Sequence, residues 1–509
     1  MNENRKVRVR FAPSPTGGLH LGGVRTALFN YLFAKKNNGD FILRVEDTDQ
    51  SRFVEGAEEY INNCLAWCGI HPDESPSKPG EFGPYRQSER KESYRAYAEK
   101  LVDAGKAYYA FDLPEELEEA RTKMPNFTYG HSTRMTMKNS LSLPESEVRE
   151  LLDKGTPHVI RIKMPTDETI QFEDMIRGSV VFDTNLVDDK VLLKADNMPT
   201  YHLAVVVDDY QMKISHIFRG EEWLPSAPVH ILLWEYLGWK NEMPEWAHLP
   251  LILKPDGHGK LSKRDGDRLG FPVFAMDWKD PKSGDITKGF RELGFLPQAF
   301  VNMLALLGWN DGTDQELFSL AELIEKFSLE RINNSGAKFD FEKAKWYNHE
   351  WIQKLSIEEI AEYIRPLMAN HQPNIDAKYL ESVLALTRER LTLLTDFWSN
   401  ASFFFQEPTS YDLDTILKRW NDEKTAFFTD IGERLEAFEP WHSEELESFY
   451  KLAIQASGMK MGELMLPLRI MLVGGKFGPH VFDIAATLGK AETISRIRKG
   501  LDAIISEKA

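Results

Sequence analysis

The chain has 509 residues and a mass of 58.5 kDa, too long for one hydrophobic core, so several domains are expected. Its 42% hydrophobic and 28% charged residues are typical of a globular protein, and no apolar run reaches the roughly 20 residues that cross a bilayer. A formal net charge of −17 argues against a basic nucleic-acid binder, although it leaves room for a local basic track.

The first fifty residues predict a strand, a glycine-rich turn, a helix and a second strand. Polar and apolar residues alternate over 6–12, and two prolines and two glycines break the strand at 13–18. Helical spacing then runs from Leu19 to about Lys36, and 41–45 is a second strand. This order begins a doubly wound, Rossmann-type fold of the α/β class.

The predicted helix begins with His20, Leu21, Gly22 and Gly23. The glycines match neither a dinucleotide fingerprint nor a P-loop. Glycine lets a nucleotide approach the backbone closely, a helix N-terminus favours phosphate, and histidine can donate to phosphate oxygens. The alternative is a helix packed tightly on its sheet, with His20 at the surface.

The chain has two cysteines, Cys64 and Cys68, one helical turn apart, with His71 close behind. A structural zinc site normally needs four ligands, and a helix holds such a pair in poor geometry for a disulfide. Two reduced thiols near a helix C-terminus are therefore expected.

Far downstream, an apolar strand at 251–253 runs into a loop with three glycines and the sequence KLSKR at 260–264. Lysines on a flexible loop can close over a triphosphate and neutralise charge on the α-phosphate and the departing pyrophosphate. The alternative for this segment alone is a solvated charged loop.

Together the two segments resemble the signatures of class I aminoacyl-tRNA synthetases. Residues 13–23, PSPTGGLHLGG, resemble the HIGH motif, and KLSKR resembles the KMSKS loop, in the expected order. Further motifs resemble glutamyl-tRNA synthetases of the bacterial type over almost the whole chain: RFAPSPTG at 10–17, RVEDTD at 44–49 followed by Arg52, GPYRQS at 83–88, PTYHLA at 199–204 leading into VDD at 207–209, RGEEW at 219–223 and GFLPQA at 294–299.

The resemblance implies a glutamate-binding site. Arg10 and Arg219 would bind the side-chain carboxylate through paired hydrogen bonds, with Tyr201 adding a hydroxyl donor. Glu46, Ser14 and the Ala12 carbonyl would hold the ammonium group. Arg219 also separates this family from the glutaminyl enzymes, because a neutral carboxamide offers it no counter-charge.

The resemblance also implies the chemistry. ATP, carrying Mg²⁺, and glutamate would give glutamyl-adenylate, and the tRNA(Glu) terminal adenosine would accept the glutamyl group. His20, Lys260 and Lys263 would act on the phosphates as catalytic residues, and Gly22, Gly23 and Glu222 would help to place the nucleotide. No side chain need act as a nucleophile.

Four segments are expected: a Rossmann-type catalytic domain at 1–90 and 197–245, an α+β acceptor-binding insertion at 91–196, a stem-contact domain at 246–338 and an all-α anticodon-binding region at 339–509. Some members of the family hold zinc near the start of the insertion through a Cys-x-Cys motif. Here 109–112 reads YAFD, so no zinc is expected.

The C-terminal half has helical patterns throughout, including a capping box at Ser356 and Glu359. Residues 379–405 contain neither glycine nor proline and predict one long helix carrying Arg390. By the resemblance, Arg390 matches an arginine that reads the third anticodon base of glutamate tRNA.

Three alternatives stay open at this point. A relaxed-specificity or glutaminyl-type enzyme would charge tRNA(Gln) as well, and a glutamyl-queuosine-type enzyme would end near the lysine loop. A non-catalytic tRNA-binding relative would keep the fold, although His20, Lys260 and Lys263 disfavour it. A cytoplasmic monomer is expected, with no membrane partner.

Overall fold

The computed structural model describes residues 5–369, 371, 372 and 374–508. The chain folds into two units: Met1–Glu292 with Pro297–Ala344, and Leu293–Leu296 with Lys345–Ala509. The four-segment division stays a prediction. Among the described residues, no helix is long and apolar enough to cross a membrane.

The first unit mixes strands and helices. Its strands are β1 (Arg8–Phe11), β2 (Asp40–Leu43), β3 (Ala107–Ala110), β4 (Val159–Ile162), β5 (Thr169–Asp174), β6 (Gly178–Asp183), β7 (Val191–Leu193), β8 (His216–Gly220), β9 (Glu245–Leu249), β10 (Ile252–Leu253), β11 (Trp278–Lys279), β12 (Ile286–Thr287) and β13 (Ala337–Lys338). Its helices are α1 (Leu21–Lys36), α2 (Ala57–Trp67), α3 (Lys91–Asp103), α4 (Pro114–Lys123), α5 (Glu145–Asp153), α6 (Tyr201–Gln211), α7 (Ala227–Tyr236), α8 (Lys263–Leu269), α9 (Phe290–Leu293), α10 (Pro297–Leu306) and α11 (Leu320–Lys326).

The centre of this unit is a parallel arrangement of strands. β1 pairs with β2 and β8 pairs with β9, both in parallel. Ser215, just before β8, donates its backbone N–H to the Arg8 carbonyl at 2.9 Å, which places β8 beside β1. α1 buries an apolar face that includes Val24 and Leu28. The predicted doubly wound fold is confirmed.

The segment between α3 and α6 adds antiparallel structure. β3, β4 and β7 form a three-stranded antiparallel sheet. β5 and β6 form a hairpin, and β5 lies parallel to β9 with Asp174 opposite Trp246. The hairpin therefore extends the sheet of β8 and β9, a connection that alternation in the sequence does not reveal.

Two short elements frame the lysine loop. β10 pairs in parallel with β13, and Leu253 forms a bridge with Lys260 on the returning chain. Ser262 and Asp265 form a capping box at the start of α8. Earlier in the chain, Cys64 and Cys68 are buried free thiols at the end of α2, as predicted.

The second unit is helical throughout its described residues. α12 (Phe341–Lys354) begins in the first unit and ends in the second, and is followed by α13 (Ile357–Met368), α14 (Ala377–Thr387), α15 (Asp396–Ala401), α16 (Asp414–Leu417), α17 (Asp422–Glu436), α18 (Ser443–Ser457), α19 (Met461–Val473), α20 (Val481–Leu488) and α21 (Lys490–Lys508). The predicted capping box of Ser356 and Glu359 starts α13.

The single helix predicted for 379–405 is wrong. α14 ends at Thr387, and a 3₁₀ turn, Arg388–Arg390, follows. The Asp396 carboxylate accepts the backbone N–H groups of Thr392 and Leu393 at 3.2 and 2.7 Å, which offers the backbone an alternative to helical bonding. A helix can thus end without glycine or proline.

Candidate active site

The candidate site is a cavity of about 970 Å³ in the first unit. It opens where β1 and β8 end and α1 begins, the edge at which doubly wound sheets bind ligands. Eleven of the predicted site residues line it: Arg10, Ala12, Ser14, His20, Gly22, Gly23, Glu46, Tyr201, Arg219, Glu222 and Lys260. Lys263 is not among the lining residues, and Arg390 belongs to the second unit.

His20 is the N-cap of α1. Its Nδ1 accepts the backbone N–H of Gly22 at 3.1 Å. Burial, and next the charge of Lys260, lower the pKa of His20 to about 4, so the ring is neutral at pH 7. Since Nδ1 accepts, the proton lies on Nε2, and this buried atom has no protein partner. The histidine therefore presents an unused N–H donor at a helix N-terminus.

The two glycines after His20 keep the start of α1 compact. A Cβ atom on Gly23 would lie 2.7 Å from Leu19 Cδ1, so the buried Leu19 side chain would have to move to admit one. A Cβ atom on Gly22 would approach only His20 Nδ1, at 3.4 Å, so its other side is open. Gly22 thus leaves backbone accessible to a ligand, and Gly23 serves helix packing.

Lys260 and Glu222, both predicted to contact the nucleotide, contact each other. Lys260 Nζ lies 2.6 Å from Glu222 Oε1, and both side chains are partly exposed. An exposed ion pair of this kind contributes little stability, so the lysine can exchange partners at low cost.

Lys263 is the first residue of α8, and its ammonium group lies 5.6 Å from the centre of the Phe274 ring. Phe274 also forms a backbone bridge with His20. Asp265 accepts from Ser262 and pairs with Lys254 at 3.2 Å. Sequence reasoning missed Asp265, although its place three residues after Ser262 is a capping signal.

At the other end of the cavity, the predicted carboxylate ligand Arg10 has a protein partner. Its Nε and Nη2 donate to the two oxygens of Asp209 at 3.0 and 3.1 Å. Arg44 donates to Asp209 at 2.7 Å and to Glu46 at 3.1 Å. Sequence reasoning missed this use of Arg44 and Asp209. Two acidic residues directly after the apolar run at 205–207 were the available signal.

Glu46 is a buried carboxylate at the cavity wall. Burial raises its pKa, and the nearby charges of Arg44 and Arg10 only partly oppose that effect. A cationic ligand group at this position would favour the ionised form. Ser14 and Ala12 lie on the same wall, on the turn after β1.

Arg219 is buried at the end of β8 and makes no ion pair among those formed by the described residues. Its Nε donates to His248 Nε2 at 2.9 Å, and its Nη1 lies 3.2 Å from the Tyr201 hydroxyl and 3.1 Å from His230 Nδ1. Burial lowers the pKa of Arg219. Its Nη2 is buried without a partner. A permanent cation with an unused donor suits a carboxylate ligand.

Arg390 lies in the exposed 3₁₀ turn of the second unit. Burial, and next the positive charge of Arg390, lower the pKa of Arg469. Arg469 Nη1 donates to the carbonyl of Pro479 at 2.6 Å. The positive charge of Arg390 therefore acts on Arg469, whose guanidinium group is anchored to the backbone.

Among the described residues, no group of three or more His, Cys, Asp or Glu side chains is arranged to hold a metal ion. The absence of zinc stays a prediction. In the stretch considered for it, Asp112 accepts hydrogen bonds from the Tyr129 hydroxyl and the Lys138 backbone N–H, each at 2.7 Å.

Comparisons with known proteins cover the whole molecule. Residues 6–346 match the family model of tRNA synthetases class I (E and Q), catalytic domain, and 359–501 match an anticodon binding domain. The chain is 52% identical over 501 residues to the glutamate--tRNA ligase of Phocaeicola vulgatus, covering 98% of this chain and 99% of that one. It is 51% identical over 500 residues to that of Porphyromonas gingivalis, with the same coverage.

A solved structure is similar over the same length. It is a crystal structure of a glutamate tRNA ligase from Elizabethkingia meningosepticum in complex with its amino acid. The TM-score is 0.93 at 47% identity, covering 98% of this chain and 100% of that chain.

Proposed function

The chain belongs to the class I tRNA synthetases that are glutamate--tRNA ligases, and from this membership we propose how its own residues perform the reaction. The enzyme activates L-glutamate with ATP to glutamyl-adenylate and transfers the glutamyl group to tRNA(Glu), releasing pyrophosphate and AMP. The observation that carries the assignment of the amino-acid site is the buried, unpaired Nη2 of Arg219.

The amino-acid end of the cavity recognises both charges of glutamate. Arg219 Nη2 and the Tyr201 hydroxyl donate to the side-chain carboxylate, and Arg10, oriented by Asp209, adds its remaining donor. Glu46 binds the ammonium group together with Ser14 and the Ala12 carbonyl. The ammonium replaces part of the hydration that Glu46 loses on burial and keeps it ionised.

The nucleotide end stabilises negative charge. The Nε2–H of His20 and the N-terminus of α1 donate to phosphate oxygens, beside the open side of Gly22. Lys260 exchanges Glu222 for the triphosphate, which leaves Glu222 free to bind the nucleotide with Gly23 nearby. Lys263 joins the phosphates when the loop approaches, and Mg²⁺ is carried by the nucleotide.

The reaction needs positioning more than a protein nucleophile. A glutamate α-carboxylate oxygen attacks the α-phosphorus of ATP, and the bond to the departing pyrophosphate breaks. The 2′-hydroxyl of the terminal adenosine then attacks the acyl carbon, loses its proton, and displaces AMP. In both steps negative charge develops on oxygen atoms, and His20, Lys260 and Lys263 stabilise it.

The remaining proposals concern the tRNA and the setting. Residues 91–196 bind the acceptor end, 246–338 contact the stem, and 339–509 bind the anticodon, whose third base Arg390 reads. The enzyme works without zinc. It acts as a monomer, because every proposed reacting group comes from one chain. It acts in the cytoplasm, where translation uses its product.

Side-by-side aminoacylation tests this proposal. Purified enzyme is given ATP, radiolabelled glutamate or glutamine, and transcripts of tRNA(Glu) or tRNA(Gln). We expect label from glutamate on tRNA(Glu) alone. Glutamate on both transcripts would mean relaxed tRNA specificity, label from glutamine would contradict the role of Arg219, and no label would indicate a non-catalytic relative.

A further inference from the structure

Arg219 is a buried cation that no carboxylate contacts among the described residues. Close to the cavity, three buried guanidinium groups form ion pairs with buried carboxylates, Arg10 with Asp209, Arg44 with Glu46, and Arg90 with Asp208. Arg25 is also buried there, but it donates to the backbone carbonyls of Leu307 and Pro250. Arg219 has no such partner among the described residues, and the atoms that hold it are neutral ring nitrogens and a hydroxyl. Its charge is therefore available to a ligand.

His248 contacts Arg219 from the neighbouring strand. The two residues are register partners on the parallel strands β8 and β9. His248 Nδ1 lies 2.6 Å from Asp174 Oδ2, and its Nε2 accepts from Arg219 Nε at 2.9 Å. Burial raises the pKa of Asp174, but the hydrogen bonds from His248 and from the backbone N–H groups of Ile176 and Arg177 together outweigh burial and lower it, so Asp174 is a carboxylate. The Asp174 carboxylate accepts a hydrogen bond from the Nδ1–H of His248, so His248 Nε2 carries no proton and can accept a hydrogen bond from Arg219.

His230 holds Arg219 from the side. It is fully buried in α7, and its Nδ1 lies 3.1 Å from Arg219 Nη1. Because arginine only donates, Nδ1 accepts and the proton lies on Nε2, which faces His202 Nδ1 at 3.2 Å. Burial, and next the charge of Arg219, keep the pKa of His230 well below its ordinary value. The ring is a neutral acceptor in its resting state.

We propose that His230 and His248 are specificity-determining positioning residues, which hold Arg219 as neutral acceptors without cancelling its charge, so that it selects a carboxylate over a carboxamide. This inference rests on the proposed function of the cavity. A carboxylate in place of either ring would hold Arg219 equally well, but it would supply the counter-ion that glutamate otherwise brings.

A matched pair of substitutions separates charge from shape. His230→Gln keeps a neutral acceptor, and His230→Glu places a carboxylate of nearly the same size beside Arg219. We expect His230→Glu to raise the KM for glutamate roughly 10- to 100-fold, the range of a charge-assisted hydrogen bond. The ratio of kcat/KM for glutamate over glutamine should fall by a similar factor. His230→Gln should keep both values within about threefold of wild type, and the KM for ATP should change in neither.

Asp174→Asn provides an independent test should His230→Glu fail to fold. Asp174 Oδ1 accepts the backbone N–H groups of Ile176 and Arg177 at 3.0 and 2.9 Å, whereas Oδ2 accepts that of His248 at 3.1 Å. An asparagine therefore loses fewer backbone hydrogen bonds with its amide nitrogen at the Oδ2 position, where it would face His248 Nδ1. That donor would move the ring proton to Nε2, facing the Arg219 Nε–H. We expect the KM for glutamate to rise about 10-fold, with the KM for ATP unchanged.

Aminoacylation of tRNA(Glu) with varied glutamate, glutamine or ATP gives every value. Equal glutamate selectivity in the two His230 variants, or an unchanged KM for glutamate in Asp174→Asn, would overturn this inference while leaving the proposed function intact. Failure of the wild-type enzyme to charge glutamate would overturn both.

Discussion

The two ring nitrogens of His20 have different roles, and substitutions can separate these roles. Nδ1 caps α1 through the Gly22 N–H at 3.1 Å, and Nε2–H is buried without a protein partner. Asparagine places its side-chain oxygen where Nδ1 lies and is among the best N-cap residues, but it cannot reach the Nε2 position. His20→Asn therefore removes the phosphate donor alone, and His20→Ala removes the donor and the cap.

The magnitudes follow from these contacts. Loss of one preorganised donor to a developing oxyanion lowers kcat about 10²- to 10³-fold, so both variants should lose that much. The unsatisfied Nε2–H costs the free enzyme about 1–3 kcal/mol, which His20→Asn relieves. Loss of the cap in His20→Ala costs about 0.5–2 kcal/mol. The melting temperature should thus rank Asn at or above wild type, and Ala below Asn.

Steady-state charging of tRNA(Glu) and thermal unfolding without ligands measure the two effects. A His20→Asn enzyme with wild-type kcat would refute the phosphate role of Nε2. Equal melting temperatures for the Asn and Ala variants would refute the cap. Loss of activity through misfolding would appear as a lowered melting temperature in both.

Three further predictions use other parts of the chain. Lys263→Ala should lower kcat for charging about 10²-fold although the side chain lies outside the cavity, and unchanged charging would falsify its role. Arg390→Ala should lower kcat/KM for tRNA(Glu) roughly 5- to 100-fold. The control Arg365→Ala, at an exposed site in α13, should leave this value unchanged. Equal losses in the two variants would exclude base reading by Arg390. Burial lowers the pKa of His216 to about 4, below the roughly 6.5 of the unfolded chain. The neutral His216 ring therefore contributes its full share of stability above pH 6.5, and this stability is lost as the pH falls toward 4. The melting temperature of His216→Gln should therefore fall less than that of wild type between pH 7 and pH 5, and parallel curves would contradict the shift.

The sequence predicts best those elements of the fold that depend on spacing and turn residues close together in the chain. The helix over 19–36 and its N-terminal His20 follow from spacing and turn residues alone, and α1 occupies Leu21–Lys36. The unbroken helix over 379–405 failed because Asp396 captures nearby backbone N–H groups, a local competition that helix propensity does not include.

The site shows the same division. Motifs predicted Arg10 and Arg219 as carboxylate ligands, but they could not indicate that Asp209 occupies two donors of Arg10, or that Arg219 has no ion pair among the described residues. Those facts depend on side chains far apart in the sequence: Arg10 and Asp209 are separated by 199 positions, and Asp174 and His248, on the neighbouring strands β5 and β9, by 74. The tertiary placement of the partner side chains, and not residue type, decides which arginine keeps a donor unused.

The shared carboxylate of Asp209 also has a consequence during synthesis. Arg10 and Arg44 meet it across 199 and 165 residues of chain. At about 5–20 residues per second, the ribosome makes both arginines roughly ten seconds or more before their counter-ion emerges. The first two strands therefore leave the exit tunnel before Asp209 is made, with Glu46 two residues after Arg44 but with no buried counter-ion yet for Arg10. The buried Arg10–Asp209 pair can thus form only after α6 has been synthesised.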